Sequence, residues 1–287
     1  MIVAIASGKG GTGKTTVAAS LARVWGTPVQ AMDLDVEEPN LHLFLKPDLT
    51  GQEKATLPVP VADQSKCTAC RACAEICQFK AISVLAEYVV TFPEMCHGCG
   101  GCMAVCPEGA ITEGTRELGE VLWGKAGEAG FLMGRLRIGE AMSPPLMHEV
   151  SKHMDRSGDV IIDAPPGTSC PAITAVSGAD VIILVSEPTP FGFHDLKLAR
   201  EAFESMGRPM GVVVNRAGLG DKALYNYCAA TNLPILLEIP FDRAIAEAYS
   251  EGLVISEARP EYKKAFQSLS GRIRDLAAGF GLETKRA

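Results

Sequence analysis

The sequence predicts an α/β fold: a mainly parallel sheet covered on both faces by helices and interrupted by a small cysteine-rich α+β module. Three observations point there. Largely apolar runs, at 160–163, 181–185, 210–215 and 235–239, alternate with helix-like segments, as strands buried on both faces do. The chain opens on a strand, a glycine loop and a helix, at 2–6, 8–13 and 14–25. Eight of the ten cysteines lie between Cys67 and Cys106, with strand-like runs on either side, so that stretch is an insertion.

The elements follow in order. Residues 2–6 are short and apolar, and 14–25 put Val17, Leu21 and Val24 on one helical face. A second strand is expected at 29–33. Residues 46–66 carry Pro47, Pro58 and Pro60 and read as a linker, and 114–139 as a glycine-rich return. Helices are expected at 195–205 and 244–250. The expected division is 1–60 and 114–287 for the larger domain, with 61–113 as the insert.

Length and composition narrow the class. The 287 residues suit one large domain or two modest ones. With 47 % hydrophobic and 21 % charged residues the chain forms a core. A net charge of −7 argues against a general nucleic-acid binder. No run of about 18 apolar residues is present and the start lacks the regions of a signal peptide, so a cytoplasmic protein is expected. Phe266, Leu269, Ile273, Leu276 and Phe280 recur at steps of three and four. That face is expected to pack on the sheet, and membrane contact is not expected.

Gly8-Lys9-Gly10-Gly11-Thr12-Gly13-Lys14-Thr15 fits G-x-x-x-x-G-K-[ST]. Glycines let backbone N–H groups close on phosphate oxygens, Lys14 brings a cation to the β- and γ-phosphates, and Thr15 offers a hydroxyl to Mg²⁺. The following helix turns its positive end to the same anion. Residues 8–16, Thr16 included, are therefore expected to bind the nucleotide. Asp163 ends an apolar strand beside the loop, a position suited to hydrated Mg²⁺.

With Lys9, the loop matches K-G-G-x-G-K-T and resembles the deviant Walker A family of MinD-type, ParA-type and Mrp-type ATPases and the nitrogenase iron protein. The resemblance implies an ATP-sandwich homodimer in which Lys9 reaches the partner's nucleotide. It implies that Asp35 orients the attacking water and that Asp33 lies near the metal. The run Asp163-Ala164-Pro165-Pro166-Gly167-Thr168 resembles the Mrp-type second switch, with Gly167 on the γ-phosphate side. Asn215, and the loop with Pro240 and Asp242, would read adenine.

The insert repeats. Cys67, Cys70, Cys73 and Cys77 recur 29 positions later as Cys96, Cys99, Cys102 and Cys106, each run followed by an Ala-Ile pair. The x₂, x₂, x₃ spacing is that of bacterial ferredoxins and favours two [4Fe–4S] clusters over zinc. In two-cluster ferredoxins the fourth cysteine of each run serves the other cluster. The expected sets are Cys67, Cys70, Cys73 and Cys106, and Cys96, Cys99, Cys102 and Cys77. Pro107 follows Cys106 as in that pattern; Gln78 follows Cys77 instead. Cys170 reads as buried or idle and Cys228 as core. His97 and His194 read as tuning or capping groups.

The whole chain resembles the branch of MinD-superfamily ATPases with an inserted ferredoxin domain. That branch is often labelled cobyrinic acid a,c-diamide synthase-like, although no glutaminase-like region accompanies it here. The first functional expectation is a slow ATPase that couples dimer changes to electron transfer toward a redox or metalloprotein partner. The second is a cluster or metal-cofactor maturation factor, and the third a MinD-type positioning protein.

Overall fold

The computed structural model describes residues 1–26 and 28–281. In chain order the elements are β1 (Ile2–Ala6), α1 (Lys14–Val24), β2 (Val29–Asp33), α2 (Leu41–Leu45), β3 (Asp48–Ala62), α3 (Ala72–Ile76), β4 (Ile82–Leu85), β5 (Tyr88–Thr91) and α4 (Gly101–Ala104). There follow β6 (Ile111–Ala126), β7 (Ala129–Leu136), α5 (Pro144–Lys152), β8 (Asp159–Asp163), α6 (Cys170–Val176), β9 (Val181–Ser186), α7 (Pro190–Glu204) and β10 (Met210–Ala217). The last are α8 (Ala223–Ala230), β11 (Ile235–Pro240), α9 (Arg243–Ser250), α10 (Ile255–Ala258) and α11 (Pro260–Gly279).

The chain divides into two compact units. The first comprises Met1–Gln52, Val121–Arg135 and Met147–Ala287, the second Glu53–Glu120 and Leu136–Leu146. The large sheet has the order β11-β10-β9-β1-β8-β2-β7-β6-β3. β1 pairs in parallel with β8 and β9, β2 with β8 and β7, and β10 with β9 and β11. Side chains of β1, β2, β8 and β9 are almost all buried, as strands covered on both faces require. In the first unit, Phe266, Leu269 and Ile273 of α11 join the core that holds Val17, Leu21 and Trp25. Phe280 lies beyond that helix and is 62 % exposed. Among the described residues no helix is long and apolar enough to cross a membrane.

Two sequence expectations are corrected. The presumed linker 46–66 is largely the strand β3, and the glycine-rich return 114–139 is largely β6 and β7. Pro58 and Pro60 do not prevent this, because β3 ends the strand order and an edge strand tolerates the missing N–H. Gly114, Gly124 and Gly134 stand where a Cβ would collide with a neighbouring strand or side chain, so these glycines mark close approach within strands rather than loop. The second unit is correspondingly larger than the expected 61–113.

The 29-residue repeat extends to the backbone of the second unit. Ala69, Arg71 and Lys80 have φ of 56°, 67° and 55°, and Gly98, Gly100 and Gly109, each 29 residues on, have 69°, 72° and 58°. Both halves therefore make the same left-handed turns, one with side chains and one without. α3 lies between Arg71 and Lys80, and α4 between Gly100 and Gly109.

Candidate functional site

The phosphate loop joins β1 to α1. Gly13 has φ +97°, and a Cβ there would strike the amide of Asn215; one at Gly8 would strike the Asp195 carbonyl. Neither position admits a side chain. A cleft of about 390 Å³ opens beside the loop, bounded by Gly10, Gly11, Gly13, Lys14, Thr15, Thr16, Asp35, Asn215, Pro240 and Asp242, all expected from the sequence. Glu38, Arg216, Phe241 and Tyr249 also line it; no motif singles them out.

Lys14 and Asp163 are buried and Asp35 is half-buried. Lys14 is 7 % exposed; burial lowers its pKa, and Asp163 and Asp35 act to raise it. Asp163 takes a hydrogen bond from Thr15, while its Oδ1 is buried with no hydrogen-bond donor among the described residues. Burial pushes the Asp163 carboxyl up to about 7, against the pull of Thr15 and Lys14. Burial likewise raises Asp35 to about 6, with Lys14 opposing. An orphaned buried carboxylate oxygen beside a threonine hydroxyl is a donor set suited to a hydrated divalent cation.

Four of the expected residues also hold backbone. Asp33 is fully buried and accepts from the Asp35 N–H at 3.1 Å and the Leu41 N–H at 2.9 Å. Its carboxylate braces the turn after β2. Burial, then Asp163, push its pKa up. Asn215 donates from Nδ2 to the Thr12 carbonyl at 2.7 Å and accepts from the Arg216 N–H at 2.9 Å. It borders the cleft while clamping the loop. Gly167 donates its N–H to the Ser7 carbonyl at 2.9 Å, linking the turn after β8 to the end of β1. Asp242 caps α9 by accepting from the Ala244 N–H at 2.8 Å.

Lys9 forms an ion pair with Glu187 of its own chain, and Glu187 also holds Arg216 at 2.8 Å. Burial pushes the Glu187 pKa up, but the two cations outweigh it and the net shift is down. Arg216 has φ +54°, a strained value for a side-chain-bearing residue.

In the second unit, Cys77, Cys96, Cys99 and Cys102 surround one space of about 50 Å³, and Cys67, Cys70, Cys73 and Cys106 a smaller one of about 10 Å³. The fourth cysteine of each run thus sits with the first three of the other. Among the described residues no group of three or more His, Cys, Asp or Glu is arranged to hold a single metal ion. Backbone N–H groups of Ala69 and Ala110 donate to the sulfurs of Cys67 and Cys106 at 3.4 and 3.2 Å, and those of Ala81 and Gly98 to Cys77 and Cys96 at 3.3 and 3.4 Å. Burial pushes the Cys73 and Cys102 thiols up. The Phe79 ring stacks on His97. Cys228 is buried, and Cys170 is exposed at the start of α6.

A glycine loop between a strand and a helix, with a buried lysine facing an aspartate on the adjacent parallel strand, defines a P-loop nucleotide-binding protein. The model of the CobQ/CobB/MinD/ParA nucleotide binding domain matches residues 3–255; the chain belongs to that family. An uncharacterized protein of Methanocaldococcus jannaschii is 30 % identical over 258 residues, which cover 88 % of this chain and 90 % of that one. An iron-sulfur cluster carrier protein of Aquifex aeolicus is 27 % identical over 289 residues, 94 % of this chain and 66 % of its own. Among solved structures, the septum site-determining protein MinD of Pyrococcus horikoshii, complexed with Mg-ADP, superposes with a TM-score of 0.61 at 23 % identity, covering 99 % of each chain. At that identity the likeness is one of fold.

Proposed function

We propose that this protein is an ATP-binding and ATP-hydrolysing iron–sulfur protein in which nucleotide-driven changes in a homodimer gate electron transfer through two [4Fe–4S] clusters to a redox partner. One observation carries the reading. In a chain whose phosphate loop opens on a cleft, each of two four-cysteine sets, crossed between the halves of a repeat, surrounds its own space.

The residues divide the work. Lys14 binds the β- and γ-phosphates and offsets their charge. Thr15 and Asp163, whose Oδ1 has no hydrogen-bond partner among the described residues, would hold Mg²⁺. Asp35 positions water at the cleft. Lys9, once released from Glu187, reaches the nucleotide of the partner subunit. Cys67, Cys70, Cys73 and Cys106 hold one cluster, and Cys77, Cys96, Cys99 and Cys102 the other. Bound there, the clusters would supply one-electron transfer at a potential set by hydrogen bonds, charge and exposure. The four N–H donors orient the thiolates and offset their charge.

A second reading, cluster or cofactor maturation, draws support from the relative described as an iron-sulfur cluster carrier protein. The two diverge in one experiment. Anaerobically purified protein should contain about eight iron and eight sulfide per chain, the content of two four-iron clusters. Titrating the reduced protein with ATP and a non-hydrolysable analogue should shift cluster potential and nucleotide affinity reciprocally, with iron retained. Iron passing to an apo-acceptor with no shift in potential favours maturation, and zinc without sulfide refutes both.

A further inference from the structure

Beside the Cys96 loop lies a buried charge network. Arg116 is 6 % exposed and its guanidinium is ion-paired to Glu140, whose side chain is fully buried. The same guanidinium reaches Glu94 at 3.1 Å and donates to the Cys96 carbonyl at 3.3 Å. Arg137 closes the network from outside, 3.1 Å from Glu94 and 3.8 Å from Glu140. The cation is thus the member that touches the ligand peptide, and the buried anion stands behind it. Counted by the 29-residue repeat, the counterpart of Arg116 in the first half is Glu87, which is exposed and of opposite charge.

The network has no part in the division of work above. Sequestering an arginine and a glutamate from water carries a large desolvation cost, and a hydrophobic pair of similar volume often serves stability equally well. Backbone donors do not distinguish the two sets, since each receives two N–H···S bonds; the charged residues that line the space of Cys67, Cys70, Cys73 and Cys106, Arg71 and Glu108, are opposite in sign and exposed, where water screens them.

We propose that Arg116 is a positioning residue that raises the reduction potential of the cluster held by Cys77, Cys96, Cys99 and Cys102 above that of its twin, and so gives the electron a direction through the module. The inference rests on the cluster reading above. Its physical basis is elementary. Reduction adds a negative charge, a cation in a low-dielectric site favours that charge, and the carboxylate of Glu140 opposes it.

The test is a potentiometric titration followed by electron paramagnetic resonance on the anaerobic full-length protein. Cys99→Ser and Cys70→Ser assign the two waves to their clusters. The wild type should show two separated waves, with the Cys99 wave higher. Arg116→Gln should lower that wave alone by about tenfold in its reduction equilibrium, about 59 mV for one electron. Glu140→Gln should raise the same wave, and Arg116→Lys should restore part of the loss. Opposite signs for the two neutralising variants separate electrostatics from damage to the loop, which would lower iron content or move both variants alike. Unshifted waves at full iron and sulfide, shifts of the same sign, or equal potentials in the wild type overturn the proposal. Wild-type protein without iron and sulfide overturns the cluster reading, and this inference with it.

Discussion

Lys9 of the phosphate loop is ion-paired to Glu187 of its own chain. The lysine proposed to act on a partner's nucleotide is therefore occupied, and its release opposes dimer formation. Lys9→Ala should bind Mg-ATP within about threefold of wild type but lose ATP-dependent dimerisation and hydrolysis. Glu187→Gln should strengthen dimerisation by up to about tenfold, the worth of one charge-assisted hydrogen bond. Analytical ultracentrifugation with a non-hydrolysable analogue measures both. An unchanged hydrolysis rate in Lys9→Ala would sink the sandwich-dimer reading.

Lys14→Ala should abolish Mg-ATP binding or turnover. Lys14 is the buried cation of the cleft, with Asp163 and Asp35 as its charged neighbours, and no other cation of the loop can replace it at the β- and γ-phosphates. Isothermal titration calorimetry with ATP, with and without Mg²⁺, reads the loss directly.

Magnesium affinity should depend on pH through Asp163. Its carboxyl is pushed up to about 7 in the folded protein, and a cation needs the ionised form. Acidification below pH 7 should weaken Mg-nucleotide binding by up to about tenfold per pH unit. Asp163→Asn should bind weakly at every pH, with a flattened profile.

The same shift acts on stability with the opposite sense. A carboxyl whose folded pKa lies above its unfolded value binds more protons when folded. Its ionisation lowers the stability of the metal-free protein as pH rises from about 4 to about 7. Asp163→Asn should thus melt about 2–4 °C higher than wild type at pH 8 without metal, the change roughly 1 kcal/mol makes in a chain of this size. Differential scanning calorimetry with chelator present tests it, and a lower melting temperature would falsify the assignment.

The repeat supplies a backbone prediction. Lys80 carries a side chain at φ 55°, where its counterpart is Gly109. Lys80→Gly should stabilise the module by about 0.5–1 kcal/mol and Gly109→Ala destabilise it by about 1 kcal/mol. Chemical denaturation of the cluster-loaded protein compares them.

Much of the fold and site was legible because it is local. The phosphate loop is one contiguous stretch whose glycines, lysine and threonine meet the same anion. The cysteine runs carry their spacing in the chain, and the largely apolar strands announce a sheet covered on both sides. The strand β3 was not legible, since Pro47, Pro58 and Pro60 argue against a strand until its edge position is known. Nor was the role of Asp33, whose carboxylate takes two backbone N–H groups where Asp163 takes the Thr15 hydroxyl.

By itself the sequence determined the nucleotide loop, the cysteine repeat and the α/β class, because each follows from spacing along one segment and from the dihedral angles that segment permits. Tertiary structure alone decided which charges meet. Glu187 lies 178 residues from Lys9, and Glu140 lies 24 from Arg116. No local pattern marks either pair. Their partnership, their burial and the pKa of Asp163 arise only when folding removes water from groups that the chain keeps apart.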